Sequence, residues 1–180
     1  MKIFSKLIIL LIFTFGFTLF LAWYAETSRI EKQMEIMGDI SEDIPPSMQL
    51  YYYIKKYSKE YDVPLNIAFG VAHHESGYEG PLHWKYNPKL TSIANAYGAM
   101  QIQVPTANYF SDEKVTRYDL LNNLELNVDL SMRILSYLKK KHGDWKLALG
   151  AYNTGRPIIN QYALNISNFQ PQNLKYILND

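Results

Sequence analysis

The chain has 180 residues, 48% of them hydrophobic and 14% aromatic, with 18 basic against 17 acidic side chains. That length holds one domain of ordinary size plus a segment outside its core. Without Lys2 and Lys6 the 18 basic residues become 16 against the same 17 acidic ones, so no cationic surplus exists for phosphate backbones and nucleic acid is excluded as a partner. The lack of cysteine excludes disulfides, thiolate metal ligands and cysteine nucleophiles alike.

Leu7 to Ala25, "LIILLIFTFGFTLFLAWYA", is an uncharged run of 19 residues. At about 1.5 Å per helical residue it covers most of a bilayer's hydrocarbon layer, so it reads as a transmembrane helix or a signal peptide. Trp23 and Tyr24 at its boundary favour an uncleaved anchor over residues 1–25, because interfacial aromatics sit there and no small-residue cleavage site follows. Lys2 and Lys6 are balanced by Arg29 and Lys32, so charge alone does not orient it. Residues 26–46 are polar, lack apolar periodicity and close on Pro45 and Pro46, giving an expected tether.

From Ser47 the pattern is helical, with Leu50, Tyr53, Ile54 and Tyr57 on one face. A second helix is expected in "DVPLNIAFGVAHHES", with Asp62 as its cap, Pro64 in its first turn and Gly77 as its stop. Residues 77–96 read as loop, and "AYGAMQIQV" fits strand or helix equally. Leu124, Val128, Met132, Leu135 and Leu138 line one face of the clearest helix, which ends in Lys139, Lys140 and Lys141 before Gly143. "WKLALGAYNTG" predicts a short helix stopped by Gly155, and "PQNLKYILND" a last one. The domain, residues 47–180, is mainly α.

The chemistry concentrates in "VAHHESGYEG", residues 71–80. His73 and His74 are adjacent and therefore point about 100° apart, whereas zinc-binding helices space histidines four apart; with His83 they make a poor metal site. The expected alternative is one histidine packed under the helix and one solvated. Ser76 lacks the G-x-S-x-G elbow of a hydroxyl nucleophile. Glu75 remains: it ends the apolar helix "LNIAFGVA", where burial raises a carboxyl pKa and prepares a proton donor.

Three blocks in order then carry a resemblance. Glu75-Ser76 in "AHHESGY", "SIANAYGAMQIQVPTA" from Ser92 and "ALGAYNTG" from Ala148 are similar to the Glu-Ser, S-x-x-G-A-x-G-L-M-Q and A-Y-N-x-G motifs of lytic transglycosylases of the soluble type, related to goose-type lysozyme. The helix from Asn123 and the closing "PQNLKYIL" resemble further family segments, so the likeness covers about residues 48–180. Asn95 and Ala99 depart from the family's glycine and leucine, which bears on loop shape.

The resemblance implies a lysozyme-like fold and cleavage of the β-1,4 bond between N-acetylmuramic acid and N-acetylglucosamine in peptidoglycan. It implies Glu75 as acid and then base, with 1,6-anhydromuramoyl ends as product and no cofactor or metal. An internal hydroxyl as nucleophile removes the need for the second carboxylate of ordinary glycosidases; Glu79, Asp112 and Glu113 are the nearest acids in sequence, and one facing Glu75 would favour a hydrolytic muramidase. Gln101 and Asn153 would hydrogen-bond N-acetyl groups or the acid, and Tyr152 would orient Glu75 or the sugar. Met100 would form the cleft floor, with Ser76 and Ser92 in support. Tyr78, Trp84, Tyr97 and Tyr109 are aromatic candidates for sugar subsites. With such a substrate the domain is expected on the outer face of a bacterial inner membrane. A non-enzymatic peptidoglycan-binding role in a secretion, conjugation or phage machine is the other alternative.

Overall fold

The structure, a computed structural model, describes residues 44–170 together with Phe17, Thr18 and Leu21. The chain divides into two units, Met1–Ser41 and Glu42–Asp180. Of the first, only Phe17, Thr18 and Leu21 are described, all helical. The rest of the expected anchor (1–25), the tether as far as residue 43 and the last expected helix (171–180) lie outside the described residues. Among the described residues no helix is long and apolar enough to cross a membrane.

The second unit is mainly α. Helix α1 (Pro46–Tyr61) begins one residue earlier than the pattern suggests, because Pro46 starts the helix, where its missing N–H leaves no bond unmade. Its predicted face is buried at Leu50, Tyr53 and Ile54 and half-buried at Tyr57. Asp62 is a correction. It does not cap the next helix but closes α1 in the left-handed region (φ 56°), its N–H donating to the Ser58 carbonyl. Aspartate tolerates that conformation, and the cap position of α2 (Leu65–Ser76) falls to Pro64, whose carbonyl accepts from the Ile67 and Ala68 N–H groups.

Helix α2 buries Ile67 through Ala72 without a break. A helix apolar all round must be enclosed on all sides, and α2 is packed by α1 and by α7 (Gln161–Ser167). Gly70 permits the second contact, since a Cβ there would lie 2.9 Å from Ile166 Cγ2.

"AYGAMQIQV" resolves into two strands of two residues, β1 (Ala96–Tyr97) and β2 (Ile102–Gln103), antiparallel with Ala96 opposite Gln103. Val104 then opens α3 (Val104–Phe110), and α4 (Arg117–Asn122) starts from a Thr116–Asp119 capping box.

Helix α5 (Leu124–His142) is the hub, with α1, α3, α4 and α6 (Trp145–Thr154) against it. Because α6 meets α7, which meets α2, which meets α1, five helices close a ring. The periodicity predicted one apolar face on α5, and Val128, Met132 and Leu135 are indeed fully buried. Asn127 and Ser131 are fully buried too. Buried polar groups must find partners: Asn127 finds them in Tyr97, Met100 and Leu120, and Ser131 in Tyr152.

Candidate active site

Glu75 lies in the last turn of α2, one residue before its end; Gly77 (φ 67°) stops the helix by donating its N–H to the His73 carbonyl at 2.9 Å. The negative end of a helix disfavours a carboxylate, so the placement needs a partner. Tyr162 of α7 supplies it, its hydroxyl donating to Glu75 Oε1 at 2.6 Å. Burial raises the Glu75 pKa above the ordinary carboxylate value, outweighing the lowering by the Tyr162 bond. The group is therefore suited to hold a proton nearer neutrality than a surface glutamate. Oε2 has no hydrogen-bond partner among the described residues.

Opposite stands the β1–β2 hairpin. Asn95 occupies the left-handed region (φ 56°), the conformation that glycine would supply, so the departure from the resembled motif leaves the turn intact. Ser92 Oγ closes it by accepting the Ala96 N–H at 3.1 Å. Gly98 (φ 82°) passes so close to α5 that a Cβ would sit 2.3 Å from Asn127 Nδ2. Asn127 accepts the Met100 N–H at 2.9 Å and donates to the carbonyls of Tyr97 at 2.9 Å and Leu120 at 3.2 Å. One buried amide thus ties the hairpin to the hub helix.

Tyr152 of α6 braces the same loop. Its hydroxyl donates to the Met100 carbonyl at 2.8 Å and lies 2.9 Å from Ser131 Oγ. With its own proton committed to Met100, it accepts from Ser131. Burial, reinforced by the Glu75 charge, raises its pKa well above the ordinary phenol value. Of the two expected roles for this hydroxyl, orienting Glu75 or the sugar, a hydrogen bond to Glu75 is not made: that bond comes from Tyr162, and Tyr152 is held by Met100 and Ser131.

Between these walls runs a cleft of about 740 Å³, within the range of small-molecule and glycan sites. Glu75, Ser92, Gln101, Tyr152 and Asn153 line it, as anticipated. Ser76 and Met100 do not. The Ser76 hydroxyl is tied to Tyr86 at 2.6 Å and to the Ala72 carbonyl at 3.0 Å, and Met100 is fully buried beneath the loop. Both support the site from behind.

Gln101, at φ 50°, donates its amide N–H to the carbonyls of Gly98 at 2.8 Å and Leu90 at 3.3 Å, which leaves its side-chain oxygen as an acceptor. Asn153 is the complement. Its oxygen accepts from Asn160 at 2.9 Å, leaving its N–H₂ as a donor. Among the lining residues Glu75 is the only carboxylate, and Glu79, Asp112 and Glu113 lie elsewhere.

His73 Nδ1 bonds the Tyr78 carbonyl at 2.9 Å and its ring packs on Phe169, while His74 is exposed and meets Tyr162 edge-on. Among the described residues no group of three or more His, Asp or Glu side chains is placed to hold a metal. Of the four aromatic candidates, only Tyr109 lines the cleft. Tyr78 and Tyr97 are corrected to core residues, Tyr78 fully buried with its hydroxyl on the Ser47 carbonyl. Trp84 is exposed outside the cleft. Sequence reasoning missed Tyr162, 87 residues from Glu75, and Asn127, whose only sequence signal was an amide beside the apolar stripe of α5.

Comparison with known proteins fits this geometry. The family described as "Transglycosylase SLT domain" matches residues 52–174. The soluble lytic murein transglycosylases of Escherichia coli K12 and O157:H7 are each 27% identical over 130 residues, 68% of this chain and 19% of theirs. The chain therefore spans about one fifth of the length of the curated relatives it matches. Two solved structures share the fold, the 70 kDa soluble lytic transglycosylase from Escherichia coli and a 70 kDa soluble lytic transglycosylase in complex with bulgecin A. Each has 25% identity and a TM-score of 0.50, covering 64% of this chain and 18% of the other.

Proposed function

The chain belongs to the transglycosylase SLT domain family, and from that premise we propose that it is a peptidoglycan lytic transglycosylase with Glu75 as its acid and base. The observation that carries this reading is the solitary carboxylate: among the described residues Glu75 has no acidic companion in the cleft. A retaining glycosidase needs a second carboxylate about 5 Å away and an inverting one about 6.5–9.5 Å away. A reaction whose nucleophile comes from the substrate needs neither.

In the proposed sequence, the proton on Glu75 Oε2 passes to the glycosidic oxygen as its bond to C1 of N-acetylmuramic acid breaks. N-acetylglucosamine leaves with a free 4-hydroxyl, and charge spreads over C1 and the ring oxygen. The Glu75 carboxylate then takes the proton from the muramoyl C6 hydroxyl while O6 bonds to C1. The product is a 1,6-anhydro end, water is not consumed, and Glu75 regains its proton. Tyr162 holds Oε1 throughout, leaving Oε2 for the proton. The Gln101 oxygen and the Asn153 N–H₂ suit the N–H and C=O of N-acetyl groups respectively.

The uncharged run from Leu7 to Ala25 supports an inner-membrane anchor, and residues 26–46 a tether, holding the domain on the outer face where peptidoglycan lies. Membrane fractionation with protease protection tests that part: a catalytic domain that stays protected in spheroplasts and is degraded only after they are lysed would overturn it. For the activity, purified sacculi are digested with the full chain and with Glu75→Gln. Anhydro-muropeptides from wild type, at least about a hundredfold reduced in the variant, are expected. Equal release by both proteins would remove Glu75 from its role.

A further inference from the structure

The proposed reaction gives no task to His73 and His74, the pair that precedes Glu75 in the last turn of α2. Consecutive helix residues point about 100° apart, yet His74 and Glu75 meet the same side chain. Tyr162 of α7 gives its hydroxyl to Glu75 Oε1 at 2.6 Å, and its ring meets the His74 ring edge-on with centres 5.7 Å apart. A tyrosine laid across the end of α2 can do both, because its hydroxyl and its ring lie at different points along its length.

The far end of α7 is fixed by other contacts. It closes on Gly70, where a Cβ would lie 2.9 Å from Ile166 Cγ2 and 3.2 Å from Phe169, and Phe169 packs on His73 at 5.5 Å. Tyr162 lies one turn before Ile166, at the start of a helix of seven residues, a length that does not hold its own first turn firmly. Among the described residues His74 is the one aromatic partner of the Tyr162 ring. The His74 nitrogens make no hydrogen bond or ion pair among the described residues, so what the side chain supplies is its ring. Shielding of its inner side from water, and then the neighbouring His73, lower its pKa below the ordinary imidazole value, so that ring is uncharged at neutral pH. The titratable groups around it are His73 and Glu75 on α2 and Tyr162 on α7.

We propose that His74 is a positioning residue, its ring holding Tyr162 at the angle that delivers the hydroxyl to Glu75 Oε1. It exchanges no proton with the substrate and lies outside the cleft lining. The inference rests on the peptidoglycan reading above and adds to it a residue that acts on the acid through Tyr162.

The test is a double-mutant cycle in the full chain, with kcat, KM and the pH profile measured on solubilised glycan strands. Loss of the aromatic contact in His74→Ala is expected to lower kcat roughly two- to tenfold and to leave KM within about twofold. A looser Tyr162 bond lowers the Glu75 pKa less, so the declining limb should move to higher pH, in the same direction as for Tyr162→Phe and by less. His74→Phe, which keeps a ring and drops the titrating nitrogens, is expected to restore both kcat and limb. In a Tyr162→Phe background no hydroxyl remains to be positioned, so His74→Ala should cause no further fall in kcat. A histidine that served packing alone would add its loss there as it does in wild type. Because His74 is exposed and alanine favours a helix, the fold should be retained, and His74→Gln, which also removes the ring, should repeat the result. Full kcat with an unmoved limb in His74→Ala, an equal fall in the Tyr162→Phe background, or failure of His74→Phe to rescue overturns the positioning role and leaves the activity standing. If the wild-type chain cleaves nothing, the underlying reading falls together with it.

Discussion

Replacing Tyr162 with phenylalanine removes one hydroxyl and keeps the ring that meets His74 edge-on at 5.7 Å, so the packing of α7 on α2 is retained. What is lost is the 2.6 Å hydrogen bond to Glu75 Oε1. A bond of that length to an ionised acceptor is worth about 1.5–3 kcal/mol. It strengthens as Glu75 gives up its proton, so most of it is expressed in the transition state and its loss should appear in kcat. At about 1.4 kcal/mol per decade the expected fall is roughly ten- to a hundredfold. The pH profile adds an independent sign. Glu75 must enter the reaction protonated, so activity declines as pH rises through its pKa; the Tyr162 bond lowers that pKa, and removing it should move the declining limb to higher pH. Release of soluble muropeptides from sacculi, measured across pH for both proteins, reads rate and limb together. A rate within twofold of wild type with the limb unmoved would refute the assignment of Tyr162 as the residue that positions the acid.

Tyr152→Phe should act on stability more than on rate. It strips a partner from the Met100 carbonyl and from Ser131, costing about 1–3 kcal/mol in a denaturant melt, with a smaller loss of kcat than Tyr162→Phe. Gly98→Ala should be the most damaging of these changes, by about 2–5 kcal/mol, because a Cβ would collide with Asn127 and with the Leu120 carbonyl while the residue is held at positive φ; a melting temperature equal to wild type would contradict the described hairpin. Glu75→Gln should abolish the proposed activity and yet melt above wild type at neutral pH. Burial raises the folded-state pKa of Glu75 above its unfolded value, so wild type has its full stability below the ordinary carboxylate range and loses some as pH rises through the folded value. Glutamine has no such loss, and the gap between the two melting temperatures should close as pH falls toward 4.5.

The elements legible in the sequence were those set by local rules. Gly77, Gly143 and Gly155 end their helices in the left-handed region as their positions suggested, and the long apolar face of α5 was visible in its spacing. Asp62 misled because two local rules compete at one residue: aspartate is a good N-cap, yet it also accepts the positive φ that closed α1 first. The short "AYGAMQIQV" could not be decided by period, since its strands are two residues long and the hairpin's geometry is fixed by Asn127 on a distant helix. Of the residues that line the cleft, Glu75, Gln101 and Asn153 were singled out through motif and chemistry. Tyr162 was not, because nothing near it in sequence distinguishes it from the other tyrosines of a chain that has 15. Its role arises only where α7 closes on Gly70 and brings its hydroxyl to the end of α2.

The central claim is that a lone carboxylate suffices because the nucleophile is the substrate's own C6 hydroxyl. Digestion of sacculi by the full chain in water enriched in heavy oxygen tests it most directly, by mass spectrometry of the muramoyl ends. The two predicted products together have the mass of the glycan they came from, and the muramoyl end carries no solvent oxygen. Muramoyl ends heavier by one labelled water would contradict the account and place a second, water-activating group opposite Glu75.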